Sequence, residues 1–335
     1  MPTDRERADR PAPELSILGG MLSIPEHDGL QLTQDLIRTG LDPRAASDFV
    51  RVRRGVYAPA AAWADERARS LLRMRAVALN ASSPPLFSHR SAAAAWGLPF
   101  LTLGAPAAET LVASTSGGRS GRGIVRRGVD LDAVPVSVVR GFHVTSVERT
   151  LIDLARSQPL ASAVMAVDFA ISDGRGRRVP LTTPDRIRSE LARLDLRRGL
   201  ARVNRTIDFG DGRSESPNES LSRARIYELG FPEPDLQVEL THHTGVTDRV
   251  DFLWREYGHI GEADGLGKYL DPALRSGRSA EEVLIDEKRR EDRLRSQYPR
   301  LSRWEWSDAY TPARLRAILL DAGLPLLTRA QLRAR

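Results

Sequence analysis

Helical and strand-like periodicities follow one another along most of the chain. Apolar residues at a spacing of three or four positions predict helices at 30–39, 43–49, 66–80, 88–96, 146–155, 160–172, 185–195, 197–207, 218–229, 279–296 and 311–322. Alternation of apolar and polar residues predicts strands at 109–113, 123–126, 136–139, 142–144, 236–241, 249–254, 259–264 and 301–306, and a strand-turn-strand at 50–57. This succession indicates a mixed α+β fold in several domains.

Changes in composition divide the chain into three predicted domains. Residues 14–60 form a small first unit, residues 61–209 a mixed α/β middle region, and residues 214–325 a C-terminal domain. A stretch rich in Gly, Ser and Pro at 209–217 marks the boundary between the last two.

The first unit has the order helix, helix, basic strand-turn-strand, which is that of a winged helix. Asp42 is a suitable N-cap for the helix at 43–49, which has proline at its first position. That helix would enter a DNA groove, and the basic turn would bind phosphates. We therefore predict a DNA-binding surface made of Arg44, Arg51, Arg53 and Arg54. A small helical cap with a solvated basic turn is the alternative.

The alternating runs at 249–254 and 259–264 flank a turn and predict a β-hairpin. A two-residue loop, Glu256-Tyr257, would set Asp251 directly opposite Glu262, and cross-strand partners share a face of the sheet. Asp264 would share that face because side chains alternate along a strand. The apolar positions of the first strand would then point into a core: Val250, Phe252 and Trp254.

Gly258 also permits a three-residue loop, which would shift the register by one residue and turn every side chain to the opposite face. In that register Glu262 would lie among Phe252 and Trp254. Burying a carboxylate among aromatic rings is unfavourable. The two-residue loop therefore gives the favoured register.

Three carboxylates on one face repel one another, by roughly 4 kcal/mol per pair at about 4 Å and an effective dielectric of about 20. A hard divalent cation would offset this repulsion, because Mg²⁺ binds carboxylate oxygens and keeps several waters. The predicted metal ligands are thus Asp251, Glu262 and Asp264, with Mg²⁺ or Mn²⁺ as the cofactor. A solvated hairpin with charges on its wet face is the alternative.

The amino-acid composition excludes several kinds of chemistry. The 335 residues contain no cysteine, so disulfides, thiolate chemistry and Cys-based zinc sites are ruled out. The formal net charge is +6, which favours a polyanion as partner. No apolar run approaches the length of a membrane span, and the N-terminus is charged and Pro-rich. We therefore expect a cytoplasmic protein with no membrane partner.

Almost all basic residues are arginines, and only Lys268 and Lys288 are lysines. Lys268 lies shortly after Asp264, and its compact, titratable ammonium differs chemically from a guanidinium. Either a role in the chemistry or chance placement explains it.

Three motifs resemble the N-terminal half of AbiEi-type antitoxin proteins of actinobacteria. They are RVRRGVYA at 51–58, SHRSAAAAWGLP at 88–99 and VTSVERTLIDLA at 144–155. The resemblance covers residues 15–175. It implies a winged helix that binds DNA and a link to abortive-infection toxin–antitoxin pairs, hence a cognate toxin as a possible partner. Within these motifs His89, Arg90 and Arg149 are candidates for function, and a satisfied, buried polar network is the alternative.

Residues 214–322 resemble the PD-(D/E)XK nuclease superfamily, and in particular the small domain related to very short patch repair endonucleases. Five elements occur in the family's order: Glu219 in a helix, then Arg249–Phe252, Ile260–Gly265, Lys288–Arg293 and Arg303–Trp306. The resemblance implies an αβββαβ restriction-endonuclease-like fold. The superfamily has lysine two residues after the glutamate, where this chain has Asp264, and Lys268 is the nearest substitute.

Together these features predict a DNA-binding protein with a Mg²⁺-dependent endonuclease domain, acting in phage defence or in a toxin–antitoxin system. Asp251 and Glu262 would hold the metal, and Asp264 would hold a second ion or orient a water. Lys268 would stabilise charge developing on the phosphoryl group, and Glu219 would complete the site.

Two arginines of the helix at 279–296 are further candidates for DNA binding. Arg289 and Arg293 lie at i and i+4, hence on one helical face, where they could contact phosphates. Ion pairing with the acids of the same helix is the alternative.

A different class of function is also open, that of a non-catalytic DNA-binding antitoxin or regulator. In that case Asp264 at the lysine position would mark a degenerate nuclease fold.

Overall fold

The computed structural model describes residues 29–334, apart from positions 39, 64, 103–106, 115–119, 122, 195, 197 and 265–279. The chain divides after Trp63 into two compact units. Helices and three β-sheets occur in the described residues, so the expected mixed α+β fold is confirmed. None of the helices in this described part is long and apolar enough to cross a membrane.

The first unit contains a three-stranded antiparallel sheet and a short helix. Its elements are β1 Gln31–Leu32, α1 Thr33–Arg38, β2 Phe49–Arg53 and β3 Val56–Pro59, with β3 in the middle of the sheet. Leu36, Val56 and Tyr57 are buried. The basic strand-turn-strand predicted at 50–57 is confirmed as β2 and β3.

Two details of the predicted first unit are wrong. Residues 31 and 32 form a strand, and the helix expected from residue 30 starts only at Thr33. Residues 43–48 form turns instead of a helix. The side chain of Asp42 accepts a hydrogen bond from the backbone N–H of Arg44 at 3.0 Å, which closes a local turn.

A five-stranded mixed sheet forms the first half of the second unit. Its strands are β4 Leu86–Phe87, β5 Ala108–Ala113, β6 Ile124–Val129, β7 Val136–Val139 and β8 Phe142–Thr145, in the order β6-β5-β4-β8-β7. β5 pairs parallel with β6, and β4 pairs parallel with β8, while the other neighbours are antiparallel. Only β4 was not predicted, because two residues are too few to show an alternation.

Six helices accompany this sheet, close to the predicted positions. They are α2 Glu66–Ala78, α3 His89–Trp96, α4 Val147–Ser157, α5 Leu160–Ile171, α6 Pro184–Arg193 and α7 Leu200–Phe209. Side-chain caps set several of the starts: Asp65 caps α2, Ser146 caps α4 and Thr183 caps α6.

The second half of this unit is built on a four-stranded sheet. Its elements are α8 Pro217–Glu228, β9 Asp235–Thr241, β10 Thr247–Trp254, β11 His259–Ala263, α9 Ala280–Gln297 and β12 Arg300–Trp304. The order is β12-β11-β10-β9, antiparallel except that β12 runs parallel to β11. The helices α10 Trp306–Tyr310, α11 Pro312–Asp321 and α12 Arg329–Arg333 follow, of which α10 and α12 were not predicted.

The hairpin of β10 and β11 has the predicted register. Phe252 pairs with Gly261, so the next residues along, Asp251 and Glu262, stand opposite each other. The connection is longer than expected, because a 3₁₀ turn at Arg255–Tyr257 is followed by Gly258. Gly258 has a φ of +56°, a left-handed conformation that glycine adopts readily.

Val250 does not face the core of Phe252 and Trp254, contrary to the prediction. It packs in a separate cluster with Leu294 of α9. The alternation breaks at Gln237, whose φ of +53° is uncommon for a residue with a side chain. The ladder between β9 and β10 pairs the residues on either side of this position, but not the position itself. The backbone twist at Gln237 therefore separates Val250 from its expected neighbours.

A buried ion pair joins the two halves of the second unit. Arg223 of α8 donates from Nη2 to both carboxylate oxygens of Asp168 in α5, at 2.9 and 2.8 Å. The backbone N–H of Asp211 donates to the same carboxylate at 2.7 Å. Burial raises the pKa of Asp168, while Arg223 and these hydrogen bonds act in the opposite direction. That residues 214–325 form a domain of their own stays a prediction.

We expect Asp168→Ala to lower the free energy of unfolding by about 3–5 kcal/mol, because it leaves the Arg223 guanidinium buried without its counter-ion. Urea denaturation measures this. Asp185→Ala is the matched control, since Asp185 pairs with Arg188 at 3.4 Å on the surface and its loss should cost no more than about 1 kcal/mol. Equal losses in the two variants would show that the buried pair is not essential to this junction.

Candidate active site

Asp251 lies at the centre of a group of hydrogen-bonded polar residues in the second unit. Its Oδ2 accepts from the backbone N–H of Ala263 at 2.9 Å, and its Oδ1 from Nε2 of Gln237 at 3.2 Å. The same Nε2 donates to Oε2 of Glu219 at 2.7 Å. Gln237 thus links the predicted strand carboxylate to the predicted helix carboxylate.

The start of α8 explains the position of Glu219. Ser216 caps the helix by accepting from the backbone N–H of Glu219 at 3.2 Å, and Pro217 occupies the first helical position. Glu219 is buried in the first turn, where the backbone N–H of Glu215 donates to its Oε2 at 2.9 Å.

Two of the acids have strongly perturbed pKa values. Burial raises the pKa of Glu219 to about 7, and the charge of Asp251 contributes in the same direction. Burial likewise raises the pKa of Glu262 to about 7; Arg290 opposes this shift, while Asp251 and Asp264 add to it. Near neutral pH the site can therefore take up or release protons.

Arg290 is the arginine of α9 that reaches the acids. Its Nη2 donates to Oε1 of Glu262 at 2.8 Å and to the carbonyl of Arg249 at 2.8 Å. The sequence analysis missed this residue. The signal was present, since residue 290 lies four positions before the buried Leu294 and so on the inner face of the helix.

The two arginines predicted for DNA binding in α9 lie elsewhere. Arg289 is exposed, with Nη1 3.8 Å from the carboxylate of Asp286. Arg293 holds Asp248 of β10 through two hydrogen bonds of 2.7 Å. Their contact with DNA stays a prediction.

Asp264 follows the end of β11. Its backbone N–H donates to the carbonyl of Trp304 at 2.9 Å, and its carboxylate lies 3.9 Å from Nε of Arg303. Arg303 also hydrogen bonds to Glu287 of α9. Lys268, the predicted stabiliser of phosphoryl charge, lies outside the described residues.

Gln237 was also missed, and no pattern in the sequence indicates it. Its strained backbone turns the amide toward the acids, and its Oε1 is buried with no hydrogen-bond partner among the residues that the structure describes. Strained residues with unsatisfied polar atoms are concentrated at functional sites.

No group of three or more His, Cys, Asp or Glu residues that could hold a metal occurs in the described ranges. A smaller set still suits Mg²⁺, which uses one or two carboxylates and completes its shell with water and phosphate oxygens. Asp251 and Glu262 face each other across the hairpin, and Arg290 binds Glu262. Both a two-residue metal site at Asp251 and Glu262 and the three-carboxylate site stay predictions.

The arginines predicted to bind DNA in the first unit are accessible. Arg51 and Arg54 are exposed on the strand-turn-strand, Arg53 is half-buried, and Arg44 is exposed in the preceding turn. Their contact with DNA stays a prediction.

A second polar network surrounds His89, at the start of α3. His89 has a φ of +50°, and its Nε2 accepts from Nε of Arg127 at 2.9 Å. Its Nδ1 lies 3.7 Å from the carboxylate of Asp153, which Arg149 binds at 3.1 Å. Arg90 donates to a buried glutamate of β5. Burial and the surrounding arginines lower the pKa of His89. A buried polar network therefore describes these residues well.

The chain matches no protein-family model. It is similar to two curated proteins of Mycobacterium tuberculosis, the uncharacterized protein MT2308 of strain CDC 1551 / Oshkosh and the uncharacterized protein Rv2248 of strain ATCC 25618 / H37Rv. Each is 30% identical over 135 residues, which is 40% of this chain and 48% of the relative. The chain thus spans about half the length of the curated relatives it matches, and neither printed name states an activity.

We expect Glu262 to make the free energy of unfolding fall as the pH rises from about 4.5 to about 7. The folded protein keeps this proton up to a pH of about 7, whereas the unfolded chain releases it near 4.5. The stabilising effect of the proton is complete below the unfolded pKa and is lost on the way to the folded pKa, by up to about 1.4 kcal/mol per pH unit.

Glu262→Gln should remove this part of the pH dependence. Urea denaturation at several pH values, without divalent ions, measures it. Glu256→Gln in the exposed turn is the control and should leave the profile unchanged. Identical pH profiles for Glu262→Gln and the wild type would contradict the raised pKa.

Proposed function

We propose that this protein binds DNA through its first unit and hydrolyses phosphodiester bonds with Mg²⁺ or Mn²⁺ at the Asp251 site. The observation that carries the proposal is the convergence of two buried acids, Glu219 and Glu262, on Asp251, each with its pKa raised to about 7. Acids with perturbed pKa values in a common polar network are concentrated at functional sites, which supports the proposal.

Each side chain has a task in this proposal. Asp251 and Glu262 would hold the cation, which supplies a Lewis acid and lowers the pKa of a bound water. Gln237 keeps the Asp251 carboxylate in place through its Nε2. Glu219, half-ionised near neutral pH, can hold or release a proton at its carboxylate. Arg290 limits the negative charge at Glu262.

The topology of the second half supports this proposal. A helix, an antiparallel three-stranded meander, a second helix and a fourth strand parallel to the third give the αβββαβ order expected of a PD-(D/E)XK nuclease. The resemblance of residues 15–175 to AbiEi-type antitoxins adds a cellular setting, in phage defence or beside a cognate toxin in the cytoplasm.

A non-catalytic DNA-binding antitoxin or regulator is the second candidate. Two observations favour it: Arg290 already binds Glu262, and Asp264 stands where the superfamily has its lysine. In that case the acids would remain as a pH-sensitive structural cluster.

We expect Asp251→Asn to abolish DNA cleavage in Mg²⁺ or Mn²⁺, with a rate loss of at least about a thousandfold, because it removes a charged metal ligand. Asparagine keeps the shape of the side chain and can still accept from the N–H of Ala263. Asp251→Ala should lose cleavage as well, with some loss of stability. Plasmid and single-stranded DNA, each with and without the divalent ion, are the substrates.

The melting temperature shows separately whether each protein binds the metal ion. Mn²⁺ should raise it in the wild type by linkage and not in Asp251→Asn. A wild type that binds duplex DNA but cuts neither DNA nor RNA with any divalent ion would favour the regulator.

We expect the joint replacement of Arg51, Arg53 and Arg54 by alanine to weaken duplex DNA binding for all sequences alike, because phosphate contacts carry no sequence information. The slope of log affinity against log salt should also flatten, by about 0.9 for each phosphate that the protein no longer neutralises. A gel-shift titration at several salt concentrations measures both. An unchanged affinity and slope would remove the DNA-binding role from the strand-turn-strand.

A further inference from the structure

A cleft of about 570 Å³ lies beside the Asp251 site, where the loop at 172–180 meets β9 and β10. Gln237 lines this cleft, and the same side chain donates to Glu219 and Asp251. The volume falls within the range of ligand-binding pockets. A molecule in the cleft would therefore lie next to the acids.

Three arginines surround the carboxylate of Glu215, and two of them, Arg175 and Arg249, line this cleft. Arg249 donates to its two oxygens at 2.6 and 2.8 Å. Arg175 and Arg177 of the loop lie 3.4 and 3.9 Å from it. The backbone N–H of Glu215 donates to Glu219, so the backbone here is fixed to the acidic site while the side chain points at the arginines.

The geometry around Glu215 is one that a phosphate can reproduce. A guanidinium binds carboxylate and phosphate oxygens through the same pair of parallel N–H donors. The side chains of Arg175 and Arg177 are 53% and 72% exposed. Exposed ion pairs contribute at most about 1 kcal/mol each, so the contacts of Arg175 and Arg177 exchange at little cost. The pair of Arg249 and Glu215 is less exposed, at 28% and 18%, so a phosphate must replace both of its hydrogen bonds.

Two of the other acids at the cleft lie beside arginines. Asp211 is held by Arg213 at 2.7 Å, which contributes to lowering its pKa, and Glu239 lies 3.7 Å from Arg175. Moving the Glu215 side chain away would remove one carboxylate from beside Arg175, Arg177 and Arg249, while Arg175 would keep Glu239. A phosphodiester backbone supplies a negative charge in place of that carboxylate.

We propose that the cleft binds the phosphodiester backbone of the nucleic-acid substrate through Arg175, Arg177 and Arg249, in place of the Glu215 carboxylate. The inference rests on the proposed function for its substrate class. It adds that the loop between α5 and α6 provides cations to the C-terminal site, and that Glu215 occupies the phosphate position in the free protein.

The test measures binding of a fluorescein-labelled DNA oligonucleotide, in duplex and single-stranded form, by fluorescence anisotropy in EDTA. The full chain is used, with Arg51, Arg53 and Arg54 replaced by alanine in every variant so that the first unit contributes little. Arg175→Ala with Arg177→Ala should raise Kd about tenfold. The salt slope should flatten by about 0.7–0.9 for each phosphate that is no longer neutralised.

The matched control is Arg188→Ala with Arg255→Ala, which removes two exposed, ion-paired arginines away from the cleft lining. It should change Kd less than about threefold, by the general effect of net charge. If the two double variants bind alike, or if the starting protein shows no binding up to about 100 µM, the proposal is overturned.

Glu215→Gln tests the displaced carboxylate separately. It keeps the size of the side chain and the backbone N–H, and it should tighten binding at least about threefold, because no charged group then competes with phosphate. Glu228→Gln in α8 has the same change in charge and should have little effect. Weaker or unchanged binding by Glu215→Gln would show that Glu215 only anchors the loop.

Failure of this inference can be told apart from failure of the proposed function, because binding is measured without divalent ions. Loss of binding in the arginine variants alongside a wild type that never cleaves DNA would support the cleft and refute hydrolysis. The opposite result is that the wild type cleaves DNA while the arginine variants bind and cut DNA as the control variant does. It would support hydrolysis and refute phosphate binding in the cleft.

Discussion

The buried ion pair of Asp168 and Arg223 holds α8 against α5, and the position of the acidic site follows from this contact. Glu219 lies one turn before Arg223 on the same helix. The carboxylate of Asp168 also fixes the backbone of Asp211, at one side of the cleft. A buried charge without its partner is strongly destabilising. The helix that carries Glu219 and the loop that borders the cleft are therefore held by one interaction.

The negative charges of Glu219, Asp251 and Glu262 are only partly compensated by neighbouring positive or hydrogen-bonding groups. Burial removes Glu219 and Glu262 from water, and the charge of Asp251 lies between them, so both hold protons up to about neutral pH. Gln237 and Arg290 offset part of the negative charge. Bound protons neutralise the remaining negative charge, and in the proposed function a divalent cation does so. The same physical cause makes the site sensitive to pH and suited to a divalent ion.

Charge also connects the middle region with the C-terminal sheet. The loop after α5 places Arg175 and Arg177 beside Arg249 of β10, with Glu215 between them. Residues from both sides of the predicted domain boundary at 209–217 thus meet around Glu215. A domain boundary drawn from composition does not show this, since the contacts join positions far apart in the chain.

Local sequence was enough to predict most helices, through the spacing of their apolar residues. It was also enough to predict the pairing of Asp251 with Glu262, because the other register would bury a carboxylate among aromatic rings. These are effects of neighbouring residues and of side-chain alternation. Other features arise only when distant segments pack together. The backbone twist at Gln237 moved Val250 to another cluster, and the packing of α9 on the sheet selected Arg290 over Arg289 and Arg293 as the partner of Glu262. Such outcomes depend on which surfaces meet in the folded chain, and local periodicity carries no information about that.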